Sequence, residues 1–334
     1  MSRKILLIGD PHVTVSELAD CEALLRLVGE TADKEDVHAI LFMGDQHHTH
    51  EIVHQEVLDF WRRHLPKFGR ETFMLVGNHD RSHNLSLNSH TLWPYASLSK
   101  IIDAPFEICI GVLLVPWYAK EEDFRAVLKT RAKTIIGHQT FDGGKYENGF
   151  YASDGFSLAG FEGRQIISGH IHSPQEFGNV WYPGAPRWRT VADADTDRNI
   201  WVVEFDDTGQ LISRKGISTK GVCKQICTMR MAEGEGPIGL ETTLLQVQGP
   251  ADLRIDIHGR QEWIDSIRDY PAKVVKDPSV RVSVRSFATR ATRHRVSESE
   301  GLSAALRGYL EGYKCQFGTP PEILKKMVID RVRL

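Results

Sequence analysis

Five short motifs rich in aspartate and histidine follow one another along the chain, and their residue types are those that hold divalent metals. The motifs are Asp10-Pro11-His12, Gly44-Asp45, Gly77-Asn78-His79-Asp80, Gly137-His138 and Gly169-His170-Ile171-His172. This mixture of carboxylate, amide and imidazole groups suits Mn²⁺ or Fe²⁺, and Zn²⁺ is possible, whereas Ca²⁺ or a thiolate-bound metal fits poorly. Two such ions roughly 3.5–4 Å apart can activate water and relieve phosphoryl charge, so the motifs indicate phosphodiester hydrolysis.

Each motif follows a short apolar run of the kind that forms a buried strand. The runs cover residues 5–8, 40–43, 73–76, 135–136 and 166–167. Ligands bind at the carboxyl ends of strands in open α/β sheets, so five strand ends are predicted to converge on one crevice. A single motif would be weak evidence, because most of the 15 histidines in a chain of this size are structural or exposed. The ordered set of five is not explained by a structural role.

The motif residues divide into metal ligands and groups that move protons. Asp45 is predicted to bridge the two ions, since a shared carboxylate is needed to hold them close together. The other predicted ligands are Asp10, His12 and His172 for one ion and Asn78, His138 and His170 for the other. His79 is predicted to be the general acid for the leaving oxygen, because imidazole titrates near neutral pH, and Asp80 could orient it.

The pattern of elements predicts a layered α/β catalytic domain over residues 1–217. Amphipathic helices are predicted at 16–30, 51–65 and 121–131, and a hairpin pairs 199–205 with 211–217. A smaller α+β domain is predicted over residues 218–296, and C-terminal helices over 297–334. The smaller domain has predicted strands at 222–231, 243–247, 253–258 and 280–285 and a helix at 261–270.

Composition is that of a soluble globular protein, with 41% hydrophobic and 25% charged residues. The longest apolar runs are far shorter than a membrane span, so we expect a cytoplasmic protein with no membrane partner. Five scattered cysteines without a Cys-x-x-Cys pair are expected to be reduced thiols. They do not predict a disulfide framework or a zinc site.

Positive charge is concentrated toward the C-terminus although the chain as a whole carries a net charge of -3. Residues 253–334 contain 16 Lys and Arg against 10 Asp and Glu. A row of arginines there is predicted to contact nucleic-acid phosphates. The alternative is a solvated strand edge protected by its charge. The row consists of Arg281, Arg285, Arg290, Arg293 and Arg295.

Taken together, the motifs resemble the signature of the calcineurin-like metallophosphoesterases, and more narrowly that of the Mre11/SbcD nuclease branch. His48 stands where that branch has a further histidine, and Tyr182-Pro183-Gly184-Ala185 resembles its exit from the catalytic domain. A smaller capping domain follows, as in that branch. The resemblance is specific over residues 1–217 and loose afterwards. Gln46-His47 departs from the apolar pair often found before the histidine.

The resemblance implies a two-sheet layered core and a DNA nuclease with 3′-to-5′ exonuclease and endonuclease activity. It implies two Mn²⁺ ions, with Fe²⁺, Zn²⁺ or Mg²⁺ possible, and a role for His48 in positioning the DNA backbone. It also implies a subunit of a DNA repair and recombination complex that works with a Rad50/SbcC-like SMC ATPase. A homodimer would form through segments 51–65 and 85–99, and the helices of 297–334 would dock on the ATPase.

Two other functional classes remain open at this stage. A small-molecule phosphodiesterase or phosphatase of the same superfamily would use the same metal site. Such an enzyme would not need a basic second domain or terminal docking helices. A non-catalytic scaffold would be expected to lack a ligand or His79, and both the ligands and His79 are present.

Overall fold

The computed structural model describes residues 2–50, 52–82, 89–128, 131–194, 196–234, 242, 247 and 249–288. Its first twelve strands are β1 (Arg3–Ile8), β2 (Ala39–Phe42), β3 (Glu71–Leu75), β4 (Lys100–Ile102), β5 (Phe106–Cys109), β6 (Val112–Val115), β7 (Thr134–Gly137), β8 (Gln165–Ser168), β9 (Gln175–Phe177), β10 (Val180–Tyr182), β11 (Asn199–Phe205) and β12 (Leu211–Ser218). Three more are β13 (Gln225–Ala232), β14 (Ala251–Gly259) and β15 (Val280–Ala288). The helices are α1 (Leu18–Lys34), α2 (Gln55–His64), α3 (Glu121–Val127), α4 (Gln261–Ile267) and α5 (Tyr270–Val274).

Strands β1 to β12 form two six-stranded mixed sheets. The first has the order β12-β11-β1-β2-β3-β4, and the second has the order β5-β6-β7-β8-β10-β9. In the first sheet, the neighbouring strands β1, β2, β3 and β4 pair in parallel. In the second sheet, the neighbouring strands β6, β7, β8 and β10 pair in parallel. Antiparallel strands flank both parallel cores. The predicted two-sheet α/β core is therefore confirmed.

The sheets pack face to face because their strands are apolar on both sides. Successive residues of a strand point to opposite faces. Ile5 and Leu7 of β1 enter the core between the sheets, where Leu114 and Ile136 of the second sheet meet them. Leu6 and Ile8 point the other way, into a core shared with α1 and α2. Burial on both faces explains why these strands read as continuous apolar runs.

A third sheet has the order β13-β14-β15 and is parallel throughout. Leu253, Ile255 and Ile257 of β14 are buried on the face that packs against Ile264 of α4. The alternate residues of the same strand are polar and lie on the opposite face, which we call the polar face. On β14 and β15 it consists of Asp252, Arg254, Asp256, His258, Arg281, Ser283, Arg285 and Phe287.

The predicted elements correspond to observed ones, with shifted ends. The helix predicted over 16–30 is observed as Leu18–Lys34 (α1), after a 3-10 turn. The helix predicted over 51–65 is observed as Gln55–His64 (α2), which a second 3-10 turn extends to Phe68. The helix predicted over 121–131 ends at Val127. The C-terminal helices predicted over 297–334, and most of the strand predicted over 243–247, lie outside the described residues. Within the described part of the chain, every helix is too short or too polar to span a membrane.

Candidate metal centre

Loops at the carboxyl ends of β1, β2, β3, β7 and β8 carry all seven predicted ligands, as the sequence predicts. Hydrogen bonds tie these loops to one another. The backbone N–H of His12 donates to the carbonyl of Asp45 at 2.9 Å. The backbone N–H of His170 donates to the Asp10 carboxylate at 3.1 Å from each oxygen. Residues far apart in sequence are thus held at one point at the edge of both sheets.

One group of side chains surrounds the amide oxygen of Asn78. This oxygen lies 2.8 Å from Nδ1 of His170 and 3.1 Å from Nε2 of His138. The same Nε2 lies 3.3 Å from Oδ1 of Asp45. Nδ1 of His138 is held by the carbonyl oxygen of Met43 at 2.8 Å, which turns Nε2 inward. A backbone partner of this kind is what commonly orients a histidine that ligates a metal.

A second group forms around His12. Its Nε2 lies 2.9 Å from Nε2 of His172 and 3.6 Å from Oδ2 of Asp45. The two oxygens of Asp45 therefore face different groups, as a bridging carboxylate would. Oδ1 of Asp10 lies 3.3 Å from Nδ1 of His138, so Asp10 stands beside the first group as well. Ligand atoms of His48 and His79 also lie within 4.8 Å of His12.

These side chains fit divalent cations because oxygen and nitrogen lone pairs converge in a buried space. Nδ1 of His12 is buried and has no hydrogen-bond partner among the described residues. Burial alone would raise the pKa of Asp45, but the imidazoles of His138 and His12 lower it well below its usual value. Burial would lower the pKa of His138, but the carboxylates of Asp45 and Asp10 raise it to about 9. Two buried carboxylates thus attract positive charge to this point.

The backbone is strained at three of the predicted ligands. His12, Asp45 and His170 have φ values of 43°, 53° and 80°, in the left-handed region that residues other than glycine rarely adopt. Each such residue costs on the order of 1–2 kcal/mol. Strained residues of this kind cluster at functional sites, because the surrounding structure must hold them there. Their coincidence with predicted ligands marks this place as a site.

Two motif glycines permit the ligands to pack closely. A Cβ atom at Gly44 would lie 2.2 Å from Nδ1 of His138, and one at Gly77 would lie 2.2 Å from Oδ1 of Asp45. Neither distance is compatible with van der Waals contact. The glycines that precede Asp45 and Asn78 therefore keep space for ligand side chains.

We expect Gly77→Ala to abolish metal-dependent activity, because the added methyl group must displace the Asp45 carboxylate. The substitution should also destabilise the chain by about 1–3 kcal/mol through overpacking. Thermal unfolding and phosphodiester hydrolysis would measure the two effects. Gly29→Ala, within α1, is the matched control, since a Cβ atom at Gly29 would contact only Phe68, at 3.8 Å. A Gly77→Ala chain as active as the Gly29→Ala chain would contradict this prediction.

His79 lies beside the predicted ligand His12, and the backbone of a neighbouring loop fixes its ring. Nδ1 of His79 lies 2.6 Å from the carbonyl oxygen of His48, which leaves Nε2 for another contact. The ring stacks on His50 at 4.1 Å between centroids and meets the ring of His12 edge-on at 4.8 Å. Burial lowers the pKa of His79, and the nearby Asp45 carboxylate opposes this effect.

Asp80 supports the loops rather than the ring of His79. Its carboxylate accepts hydrogen bonds from the backbone N–H groups of His47, at 3.2 Å, and Gly77, at 3.0 Å. Burial raises the pKa of Asp80 to about 8, and the nearby Asp45 carboxylate adds to the shift. Among the described residues, Asp80 can therefore orient His79 only through the backbone of the Gly77–Asp80 turn.

His48 contacts an arginine that lies 141 positions away in the sequence. Nη1 of Arg189 lies 3.1 Å from Nδ1 of His48. A guanidinium can only donate, so Nδ1 of His48 accepts and its proton lies on Nε2. Burial lowers the pKa of His48 to about 4, and the charge of Arg189 contributes to the shift. His48 is therefore a neutral N–H donor beside His12.

The remaining predicted contact residues are only partly described. Arg281 and Arg285 lie on β15, on the polar face of the third sheet. Arg285 makes an ion pair with Asp256, with Nε to Oδ1 at 2.7 Å. Residues Arg290, Arg293 and Arg295 lie outside the described residues.

Sequence reasoning did not identify two residues that contact the centre. Glu147 accepts a hydrogen bond from the backbone N–H of His172 at 2.8 Å, and its carboxylate lies 3.7 Å from Nδ1 of that histidine. His50 supports the ring of His79 by stacking. The density of histidines over 47–50 was a signal for His50. Glu147 lies in a turn without a pattern, and the sequence held no signal for it.

Comparison with known proteins agrees with this geometry. A family model described as calcineurin-like phosphoesterase matches residues 3–174. The chain is 26% identical over 230 residues to Exonuclease subunit 1 of Enterobacteria phage T4, a match that covers 61% of this chain and 65% of the phage protein. It is 27% identical over 232 residues to "Putative phosphoesterase 244L" of Invertebrate iridescent virus 6, a match that covers 61% of this chain and 77% of that protein. The chain thus spans just under two thirds of the phage protein.

Proposed function

The chain belongs to the calcineurin-like phosphoesterase family as a metal-dependent phosphodiesterase, and we propose that the phosphodiester it cleaves is that of DNA. The observation that carries the proposal is the similarity to Exonuclease subunit 1, which extends over 230 residues and therefore beyond the segment that the family model matches. Arginines on the polar face of the third sheet support a polyanionic substrate. We propose that residues 1–217 form the catalytic domain and 218–296 a DNA-binding capping domain.

We propose that Asp45 bridges two ions, which Asp10, His12 and His172 on one side and Asn78, His138 and His170 on the other would hold. Bound Mn²⁺ would supply an activated water and charge relief on the phosphoryl oxygens, and Fe²⁺, Zn²⁺ or Mg²⁺ are the alternative ions. Neutral imidazole is the ligand form, so His138 would release its proton when the site is loaded.

His79 is the proposed general acid. Its Nδ1–H donates to the carbonyl oxygen of His48, so a proton on Nε2 is the one available to the leaving oxygen. An imidazolium is needed for this step, and the negative phosphate would favour it over the neutral ring. The neutral Nε2–H of His48 is proposed to hold a phosphate oxygen and so to position the DNA backbone. Asp80 would act by keeping the Gly77–Asp80 turn in place.

The wider assembly is also a proposal. We propose 3′-to-5′ exonuclease and endonuclease activity in a DNA repair and recombination complex with a Rad50/SbcC-like ATPase, docked through residues 297–334, which lie outside the described residues. A homodimer through 51–65 and 85–99 is supported by one exposed apolar side chain in each segment. These are Ile52, 64% exposed, and Trp93, 58% exposed. Part of the second segment, 85–88, is outside the described residues.

The proposed function predicts cleavage of DNA by the purified chain in Mn²⁺. We would compare 3′-labelled linear duplex DNA, an aryl phosphodiester and an aryl phosphomonoester. Cleavage of the DNA and of the diester, with slow or absent monoester turnover, is the expected result. Rapid monoester turnover with intact DNA would instead identify a small-molecule phosphatase. Diester cleavage without DNA cleavage would argue against DNA as the substrate of the chain on its own.

A further inference from the structure

A cavity of about 420 Å³ separates the loop that carries Arg189 from the polar face of the third sheet. The loop contributes Arg189 and the exposed Thr190, and the sheet contributes Arg254, Arg281 and Ser283. The other lining residues are Arg285, Asp252, Val191 and Ile226, so guanidinium and hydroxyl groups supply most of the polar side chains. Such groups are the usual contacts of backbone phosphates in nucleic-acid complexes.

Arg189 lies between the cavity and the candidate metal centre. The guanidinium of Arg189 lines the cavity, and its Nη1 donates to Nδ1 of His48 at 3.1 Å. Its side chain is 14% exposed and its Nε lies 3.7 Å from Glu17, which also holds Arg187 at 3.3 Å. Arg189 is thus fixed between His48 and the cavity.

Two guanidinium Nε–H groups at the cavity have a carboxylate near them, but beyond hydrogen-bond distance. The Nε–H groups of Arg189 and Arg254 are buried, and neither makes a hydrogen bond within the described residues. Together with Arg281 and Arg285, these two arginines place four guanidinium groups around one cavity, and such a concentration of positive charge favours an anionic ligand. Among the residues that the structure describes, the ion pairs on this face join Asp252 to Lys224 and Asp256 to Arg254 and Arg285, and Arg281 takes part in none of them.

The nearby carboxylates are already engaged. Asp252 pairs with Lys224 at 3.0 Å. Asp256 holds the guanidinium of Arg285 through both its oxygens, and its Oδ1 is 3.6 Å from Nε of Arg254, beyond hydrogen-bond distance. The lining therefore carries an excess of positive charge that these acids do not cancel.

We propose that this cavity binds a phosphodiester adjacent to the scissile one in the DNA strand, and that Arg189 couples this phosphate to His48. The proposal rests on DNA being the substrate. Arg189 serves as a positioning residue, because it holds the ring of His48 with its proton on Nε2. Arg254 and Arg281 bind the flanking phosphate from the sheet. A substrate without that phosphate would not be bound more tightly by Arg254 and Arg281.

The test is the salt dependence of DNA binding, measured by fluorescence anisotropy with a labelled duplex in EDTA, so that no cleavage is needed. Arg254→Met and Arg281→Met should each weaken binding about tenfold, because each removes a hydrogen-bonded charge. The two substitutions together should lower the slope of log K against log salt by about 0.9, the value for one phosphate contact on duplex DNA, and each alone should lower it by part of that amount. Arg254→Lys should restore the slope, since the charge is kept.

Arg268→Met is the matched control, because Arg268 follows α4 on the side of the third sheet away from the polar face and pairs with Asp265 at 3.0 Å. It should bind and cleave as the parent does. In Mn²⁺, Arg189→Met should lower DNA cleavage about tenfold more than aryl diester cleavage. Arg254→Met and Arg281→Met slopes equal to that of Arg268→Met would overturn the proposal. A parent that binds DNA with these slopes but does not cut it would overturn only the proposed nuclease function.

Discussion

Replacing His79 by alanine should lower DNA cleavage by about 10²–10⁴-fold, the usual contribution of a general acid. The reason is that Nε2 of His79 is the proton donor proposed for the leaving oxygen, while the ring is held by the carbonyl of His48 at 2.6 Å. Metal binding should survive, because the two ligand groups around Asp45 do not depend on this ring. Single-turnover cleavage and the metal-induced rise in unfolding temperature would be measured together.

A substrate with an activated aryl leaving group gives the sharper comparison. Such a leaving group departs without a proton, so His79→Ala should slow its cleavage far less than that of DNA. His54→Ala is the control, since His54 is exposed at the start of α2. Equal losses on both substrates would show that His79 is not the acid. Loss of the metal-induced stabilisation would instead make His79 a ligand, in keeping with its position near His12.

Replacing Asp45 by asparagine should remove both cleavage and the stabilisation that metal gives. Its two oxygens face the two ligand groups, with Oδ1 3.3 Å from His138 and Oδ2 3.6 Å from His12. In the parent, metal at 100 times its dissociation constant should stabilise the fold by about 2.7 kcal/mol and raise the unfolding temperature by roughly 5–10 °C. In Asp45→Asn this rise should fall to near zero, as differential scanning calorimetry would measure.

Asp36→Asn is an unusually close control for this substitution. Asp36 also has a left-handed backbone, with φ 48°, but its side chain is 89% exposed and pairs with Arg70 on the surface. Asparagine tolerates that conformation as aspartate does, so both changes remove one charge without changing the backbone. A metal-induced rise that is the same in both variants would exclude Asp45 as a shared ligand.

The fold was predictable where strands are buried on both faces. The runs at 40–43 and 73–76 correspond to β2 and β3, and the predicted hairpin 199–205 with 211–217 differs from β11 and β12 by one residue. Short edge strands escaped prediction. Gln175–Phe177 forms β9 with only partly buried or exposed side chains, so it has no apolar pattern to reveal it. Its pairing with β10 depends on tertiary structure.

Some features of the candidate site could likewise be predicted from the sequence and others could not. The seven predicted ligands could be selected from the sequence because each follows a strand end and carries a carboxylate, amide or imidazole group. The contact that holds His79 could not, because it is made by a backbone carbonyl, which every residue possesses. The part played by Arg189 could not be predicted either. Its contact with His48 spans 141 positions and has no local signal.

The left-handed backbone at His12, Asp45 and His170 lowers the stability of the fold at three positions on which the proposed activity depends. Glycine would relax each of these positions, and at Asp45 it would also remove a buried carboxylate. Every such exchange, however, deletes a predicted ligand. A library of variants screened for heat resistance alone, in chelator, should therefore accumulate glycines at these three positions and lose catalysis first. A screen for more heat-resistant variants should therefore contain metal throughout, so that variants that keep the predicted ligands are stabilised by binding it.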